Sequence, residues 1–193
     1  MVTSMNEPFL KDHLYHIYNR GCNKENIFFN EENYIYLLRK IKNSYIKYGA
    51  TLIAYCLMPN HYHFLVRQVM DRPLSEWIQV LFNGYVQAVN KQQGRSGTLF
   101  QGKARHILVD DNSYLVHLAR YIHFNPVEAG LVSRPEDWHF SNYAEWIGLR
   151  KGTLVDHKFI KDYFPEPLDY RKFVEDYRLE KRQAKKLQKY FLD

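Results

Sequence analysis

ATLIAYCLMPNHYHFLVRQ, residues 50–68, is the stretch whose reading decides the fold. Ala50 to Leu57 and His61 to Gln68 are rich in apolar, aromatic and β-branched side chains, and only Met58-Pro59-Asn60 separates them. Two such runs joined by so tight a link predict a β-hairpin. Successive side chains of a strand point to opposite faces, so His61 and His63 share a face, interleaved with the apolar Tyr62, Phe64 and Val66.

Upstream, HLYHIYN (residues 13–19) reads as a strand closed by a turn at Arg20-Gly21. Residues 30–48 carry Tyr34, Leu37, Leu38, Ile41 and Tyr45 at the i, i+3, i+4 rhythm of an amphipathic helix, with Asn30 as its cap and Gly49 at its end. Downstream, a second helix is expected from Pro73 to Gln92, with Trp77, Val80, Leu81 and Val89 forming one face. A Gly-rich basic loop, Gln93-Gly94-Arg95-Ser96-Gly97, leads into Thr98 to Gly102, and Ala104 to Val109 supplies a fourth strand. A further helix runs from about Asn112 to Phe124 and is closed by Asn125-Pro126, because the residue before proline disfavours the α region.

The order strand, helix, strand, strand, helix, strand is that of an α+β, ferredoxin-like (split βαβ) antiparallel sheet with helices on one face. The tyrosine-bearing helix around Tyr121 is added to it. Residues 1–148 form one domain in this reading, and residues 149–193 a C-terminal helical appendage. The appendage opens with a connection containing Phe164-Pro165-Glu166-Pro167 and continues as a charged segment of helical spacing from Tyr170 to Tyr190, with a basic stretch at Gln183 to Lys189. That basic helix either contacts a polyanionic partner or covers the core as a solvated amphipathic helix.

Composition narrows the function classes. An apolar fraction of 46% and a charged fraction of 25% suit a globular chain, and 16 Tyr with 12 Phe are more rings than a core of this size needs. Aromatic faces are what unstacked bases stack upon. The charge of +6 favours a polyanionic partner. Cys22 and Cys56 form neither a CxxC nor a disulfide framework, so a reducing, cytoplasmic compartment is expected. Met1 to Phe9 has no secretory pattern, and the longest apolar run, near Leu52 to Met58, is far shorter than the roughly 20 residues of a membrane span, so no membrane partner is expected.

Two places carry chemistry. The His61 and His63 pair is either half of a divalent cation site or a structural pair. Tyr121 and Asn125 stand at i, i+4 on the last turn of a helix and so share a face, as nucleophile and metal ligand if that helix packs beside His61 and His63, and as packing residues otherwise. His16, His106, His117 and His123 read as packing or surface residues. Arg20, Lys103 and Arg105 border the site, and Arg95 sits in the Gly-rich loop; each is a candidate phosphate contact or a solvated charge. No role follows for Gln101 or Gly102.

The strings PNHYHFLV, LFQGK, YIHFNPVEAGLV and PEDWHFSNY, in order between about His13 and Trp146, resemble the single-tyrosine HUH transposases (IS200-like transposases). HIYNRG and NPVEAGLV with SNY are most similar to the branch of REP-associated tyrosine transposases. The resemblance implies a ferredoxin-like core, a Mg²⁺ or Mn²⁺ ion held by His61 and His63, Tyr121 as nucleophile and Asn125 as third ligand. It further implies cleavage and rejoining of single-stranded or hairpin DNA through a 5′-phosphotyrosine, by a monomer or a homodimer. Three rivals follow from the same sequence: a ferredoxin-like module that binds single strands without metal, a phosphodiesterase that uses water, and a catalytically quiet descendant.

Overall fold

The computed structural model describes residues 8–178, without the side chains of Asn112, Ser113 and Arg178. Asn30 opens the first helix, α1 (Glu31–Ser44), by accepting the Asn33 N–H on its side-chain oxygen at 3.1 Å, and Gly49, with φ of 65°, reverses the chain after a 3-10 turn at Ile46–Tyr48. Strands β1 (Leu14–Arg20), β2 (Ala50–Met58), β3 (His61–Gln68) and β4 (Arg105–Val109) form one sheet in the order β2-β3-β1-β4, with every neighbouring pair antiparallel. Helix α2 (Leu74–Gln92) connects β3 to β4, and α3 (Asn112–Glu128) follows β4. This is the ferredoxin-like arrangement that the order of elements predicts.

The sheet is covered on both sides. Tyr15, Ile17, Tyr62, Phe64 and Val66 pack in one apolar cluster with Leu37 and Ile41 of α1 and Trp77, Leu81 and Tyr85 of α2. Tyr18, Cys56, Met58 and Leu65 pack in the other with Leu115, Leu118, Ala119 and Ile122 of α3. Fully burying each Leu, Ile or Phe contributes roughly 1.5–3 kcal/mol, so the two clusters hold the sheet from opposite faces. Among the described residues no helix is long and apolar enough to cross a membrane.

Two details depart from expectation. Val80 is 50% exposed; the buried face of α2 is formed by Leu74, Trp77, Leu81, Phe82, Tyr85 and Val89, and Val80 lies off it. Helix α3 does not stop before Pro126 but runs through it to Glu128. Proline removes one N–H there, yet the turn closes through Ala129 N–H to Asn125 O at 3.0 Å and Leu131 N–H to Pro126 O at 2.9 Å, with Gly130 at φ of 69°. Asn125 is thereby kept on a complete helical turn.

Beyond residue 148 the described chain returns to the core. Phe159 and Ile160 of α5 (His157–Tyr163), Tyr170 and Val174 of α6 (Pro167–Glu175) and Tyr177 join the α3 cluster. The basic stretch from Gln183 to Lys189, and Tyr190, lie outside the described residues.

A buried polar group ties these parts together. Asn142, just before the short helix α4 (Tyr143–Trp146), donates its Nδ2–H to Ile53 O at 3.0 Å, which fixes its Oδ1 as an acceptor. That oxygen receives the Tyr55 N–H at 2.7 Å and faces His123 Nε2 at 2.8 Å. His123 is therefore the Nε2–H tautomer, and its Nδ1 accepts from the Tyr170 hydroxyl at 2.6 Å. Burial pushes the His123 pKa down to about 4. An unfolded histidine binds its proton below about pH 6.5, whereas the folded one does so only near pH 4, so the fold loses stability as pH falls through that window. The loss from this residue is about 1.4 kcal/mol per pH unit and about 3 kcal/mol in all. Chemical denaturation at pH 7, 6 and 5 should show the decline, and His123→Gln, though less stable at pH 7, should decline less steeply. An unchanged slope in the variant would refute the assignment.

Candidate metal and nucleophile site

Pairing of β3 with β1 places Arg20 opposite His61, Tyr18 opposite His63 and His16 opposite Leu65, and β4 sets Arg105 opposite Tyr18. Directly opposed residues lie on the same face of a sheet, so His16, Tyr18, Arg20, His61, His63 and Arg105 all stand on the face that α3 covers. Small side chains on both partners, Ala54 and Cys56 below and Ala119 above, are part of the α3 contact. On the last turns of α3, Tyr121 and Asn125 look down on the histidines. The Tyr121 ring meets His63 edge-on with centroids 5.5 Å apart, and Asn125 Oδ1 lies 3.1 Å from His61 Nε2. The four residues singled out from two distant strings are thus assembled at one place.

The imidazoles are held from behind. Asn60 donates its Nδ2–H to Lys24 O at 3.1 Å, so its Oδ1 is the acceptor that lies 2.6 Å from His61 Nδ1. His61 must place its proton on Nδ1, which leaves the Nε2 lone pair facing the Asn125 oxygen. An Nε2 lone pair is met there either by the Asn125 amide turned to donate its Nδ2–H, or, with the oxygen facing it, by a proton or a cation between the two. Burial comes first in lowering the pKa of His61, the hydrogen bond to Asn125 opposes it, and the Arg20 charge lowers it further. His63 is completely buried, and its pKa is held well below the usual value by burial and then by the neighbouring His61 and His16. Its Nδ1 lies 2.9 Å from His16 Nε2, while its Nε2 has no hydrogen-bond partner among the described residues. In the tautomer in which His63 Nδ1 donates to His16, Nε2 presents a lone pair as well; in the other, His16 donates and Nε2 carries the proton.

Two imidazole nitrogens and an amide oxygen suit a divalent ion that accepts mixed N and O ligands, such as Mg²⁺ or Mn²⁺, so the residues fit the group that the resemblance implies. No carboxylate takes part, and among the described residues no group of three or more His, Cys, Asp or Glu side chains gathers in the manner of a metal cluster.

The basic residues separate. Arg20 is close enough to act on His61, and its Nε donates to Gln101 Oε1 at 3.3 Å. Arg105 is exposed on the same face. Lys103 lies elsewhere, lining a cavity beneath α2 on the opposite face. Arg95 stays in the loop after α2, where its Nη2 donates to Thr98 O at 3.4 Å.

Sequence reasoning missed three contributors. His16, read as packing or surface, backs His63; its i−2 position to Tyr18 on β1 was visible, but its partner depended on strand order. Asn60, read only as part of a turn, fixes the His61 tautomer. Gln101 anchors Arg20 through its side chain and through its own N–H to Arg20 O at 3.0 Å. His123 is a packing residue, as expected, and Tyr177 is buried beside Phe124.

Comparison with known proteins agrees with this fold. The match to a REP-associated tyrosine transposase of Haemophilus influenzae is 27% identical over 107 residues, half of this chain and 60% of the length of that relative. A solved structure described as the REP-associated tyrosine transposase bound to a REP hairpin superposes with a TM-score of 0.61, covering 80% of this chain and 98% of that one. Identity there is 14%, so that likeness concerns the fold. The sequence model of the family described as "Transposase IS200 like" matches residues 9–125, and that stretch holds both histidines, Tyr121 and Asn125. By that match across more than half its length, the chain belongs to the IS200-like transposase family.

Proposed function

We propose that the chain cleaves and rejoins single-stranded DNA at hairpin-associated sites, with Tyr121 as nucleophile and a divalent ion held by His61, His63 and Asn125. One observation carries the reading: the ring nitrogens of buried His63 and half-buried His61, each supported from behind, gather with the Asn125 amide beside the ring of Tyr121. The hairpin carried by the REP-associated relative supports the choice of substrate class.

Bound there, a divalent ion supplies Lewis-acid charge next to the scissile phosphate. Asn60 and His16 keep the two rings in the tautomer and orientation that ligation requires. Arg20, steadied by Gln101, and Arg105 flank the site and hold the phosphates on either side. The Tyr121 oxygen attacks phosphorus; its bond to phosphorus forms as the bond to the 3′-oxygen breaks. The phenol gives up its proton, unfavourable at an ordinary pKa of about 10, and the departing 3′-oxygen is protonated. A 5′-phosphotyrosine and a free 3′-hydroxyl result. Attack by a 3′-hydroxyl on the ester reverses the step and joins DNA without ATP.

The binding-module rival fares poorly against the packing. Both faces of the sheet are covered, one by α1 and α2 and the other by α3, so its aromatic residues are core and offer no stacking platform.

A denaturing gel of labelled hairpin DNA incubated with the protein and Mn²⁺ should show a covalent adduct that is lost with EDTA, in Tyr121→Phe and in His61→Ala. Cleavage that persists in Tyr121→Phe without an adduct would replace this reading with a water-using phosphodiesterase. His16→Ala should weaken Mn²⁺ binding, measured by titration calorimetry in the absence of DNA, by roughly 10- to 100-fold, the usual effect of losing a hydrogen bond behind a ligand. His16→Gln, which can still accept from His63, should recover part of it. Unchanged Mn²⁺ affinity in His16→Ala would assign His16 to packing alone.

A further inference from the structure

Arg120 stands one residue before Tyr121 on α3, yet it is only 1% exposed. Arginine is almost never fully buried unless it is paired, and here rings and a carbonyl from beyond residue 148 receive it. The guanidinium carbon lies over the Phe173 ring of α6, 4.1 Å from its centroid, and over the ring of Tyr177, in the 3-10 turn Asp176–Arg178, at 4.9 Å. Its Nη1 donates to Phe173 O at 3.0 Å, and its Nη2 donates to His117 Nδ1 at 2.9 Å. His117 in turn meets the Phe173 ring with centroids 5.1 Å apart, and Phe124 meets Tyr177 at 5.2 Å.

At 3.6 residues per turn, His117, Arg120 and Phe124 fall within about 60° of one another around the helix axis, whereas Tyr121 is about 100° and Asn125 about 140° from Arg120. Helix α6 and the turn after it therefore grip one side of α3, and the side chains that reach the histidines leave from another. The sheet side of α3 is apolar, with Leu115, Leu118, Ala119 and Ile122. Apolar contact is non-directional, so it fixes the depth of a helix better than its rotation. A planar guanidinium set against two rings, with an N–H on a carbonyl of the neighbouring helix, is directional. An aliphatic side chain would fill the same space without burying a charge, so what arginine adds at this point is an angle. A side-chain tip about 6 Å from the axis moves about 1 Å when the helix turns by about 10°. A misplacement of about 1 Å costs on the order of 100-fold in rate.

We infer that Arg120 is a positioning residue for the proposed reaction: by clamping α3 to α6 it sets the rotation of α3, and so holds the Tyr121 hydroxyl and the Asn125 amide in register with His61 and His63. The inference rests on the proposed roles of Tyr121 and Asn125. It gives the chain beyond residue 148 a part in the reaction that requires no contact with DNA.

The test compares the full wild-type chain with Arg120→Met, Arg120→Lys and Phe173→Leu at a temperature where circular dichroism shows each one folded. Three quantities are read: the rate of adduct formation on saturating hairpin DNA with Mn²⁺, the affinity for that DNA in EDTA by fluorescence anisotropy, and the affinity for Mn²⁺ without DNA by titration calorimetry. Arg120→Met should slow the adduct by roughly 10- to 100-fold and weaken Mn²⁺ binding severalfold, with DNA affinity unchanged. Arg120→Lys, which keeps the charge and a donor, should recover part of both losses. Phe173→Leu, which removes one ring and leaves the arginine, should show the same pattern more weakly, and it keeps the test decisive if Arg120→Met does not fold. A clamp that serves stability alone lowers the melting temperature and leaves the adduct rate and Mn²⁺ affinity of the folded chain unchanged; that result would overturn the inference, as would a loss confined to DNA affinity. A wild type that forms the adduct no faster than Arg120→Met keeps strand transfer and loses the positioning role. A wild type without an adduct, in which Arg120→Met still weakens Mn²⁺ binding, loses strand transfer and keeps the placement of Asn125; one with neither adduct nor Mn²⁺ binding loses both.

Discussion

Strand β3 is hydrogen-bonded along both edges, to β1 and β2, and covered on both faces, by α2 and by α3. A strand so confined cannot slip by one residue without turning every side chain to the wrong face. The alternation His61, Tyr62, His63, Phe64 is locked by that confinement, and the candidate metal site inherits its position from it. Ligands presented on a central strand are placed more firmly than ligands on a loop, and the adjoining hydrogen bonds from Asn60 and His16 complete the restraint. Helix α3 has only to settle on its apolar face for Tyr121 and Asn125 to reach the histidines.

The outer edge of β2 is protected by the segment around Asn142. Phe140 O accepts the Leu57 N–H at 2.9 Å, Asn142 serves Tyr55 and Ile53, and the indoles of Trp138 and Trp146 donate to Leu57 O and Ile53 O, each at 3.0 Å. An exposed edge invites pairing with another chain, and this one is used up. The string PEDWHFSNY thus has a physical role that its residue types alone do not reveal. Through His123 the same asparagine reaches Tyr170, so the edge of the sheet, helix α3 and the chain beyond residue 148 are joined by hydrogen bonds. Displacing any one of them loosens the seat of Tyr121.

The hairpin, the ferredoxin-like order and the shared face of His61 and His63 were legible because they rest on local rules: apolar runs, a tight link and the period of a strand. What stayed hidden depends on pieces far apart in the chain. His16 could not be paired with His63 before the order β2-β3-β1-β4 was known, and nothing local ties Gln101 to Arg20. Lys103 bordered the site in one dimension, yet strand geometry sends it to the other face of the sheet. Pro126 misled for a related reason: its effect on the residue before it is real, but the three-residue continuation of α3 is carried by hydrogen bonds to Asn125 and Pro126 from beyond the helix.

Adjacent residues of β3 carry opposite versions of one anomaly. His63 Nε2 on one face and the Tyr62 hydroxyl on the other are both fully buried and both lack a hydrogen-bond partner among the described residues. Folding alone gives no reason to keep either. A leucine or phenylalanine in each place would fill comparable space without stranding a polar atom, and removal of such an atom is neutral or stabilising when nothing needs it. Of the two, His63 Nε2 belongs to a ring that lies beside Tyr121 and has a use in the proposed metal site, whereas the Tyr62 hydroxyl is closed off and is a cost that the packing around it carries. The strand is stiff enough to hold both without collapse.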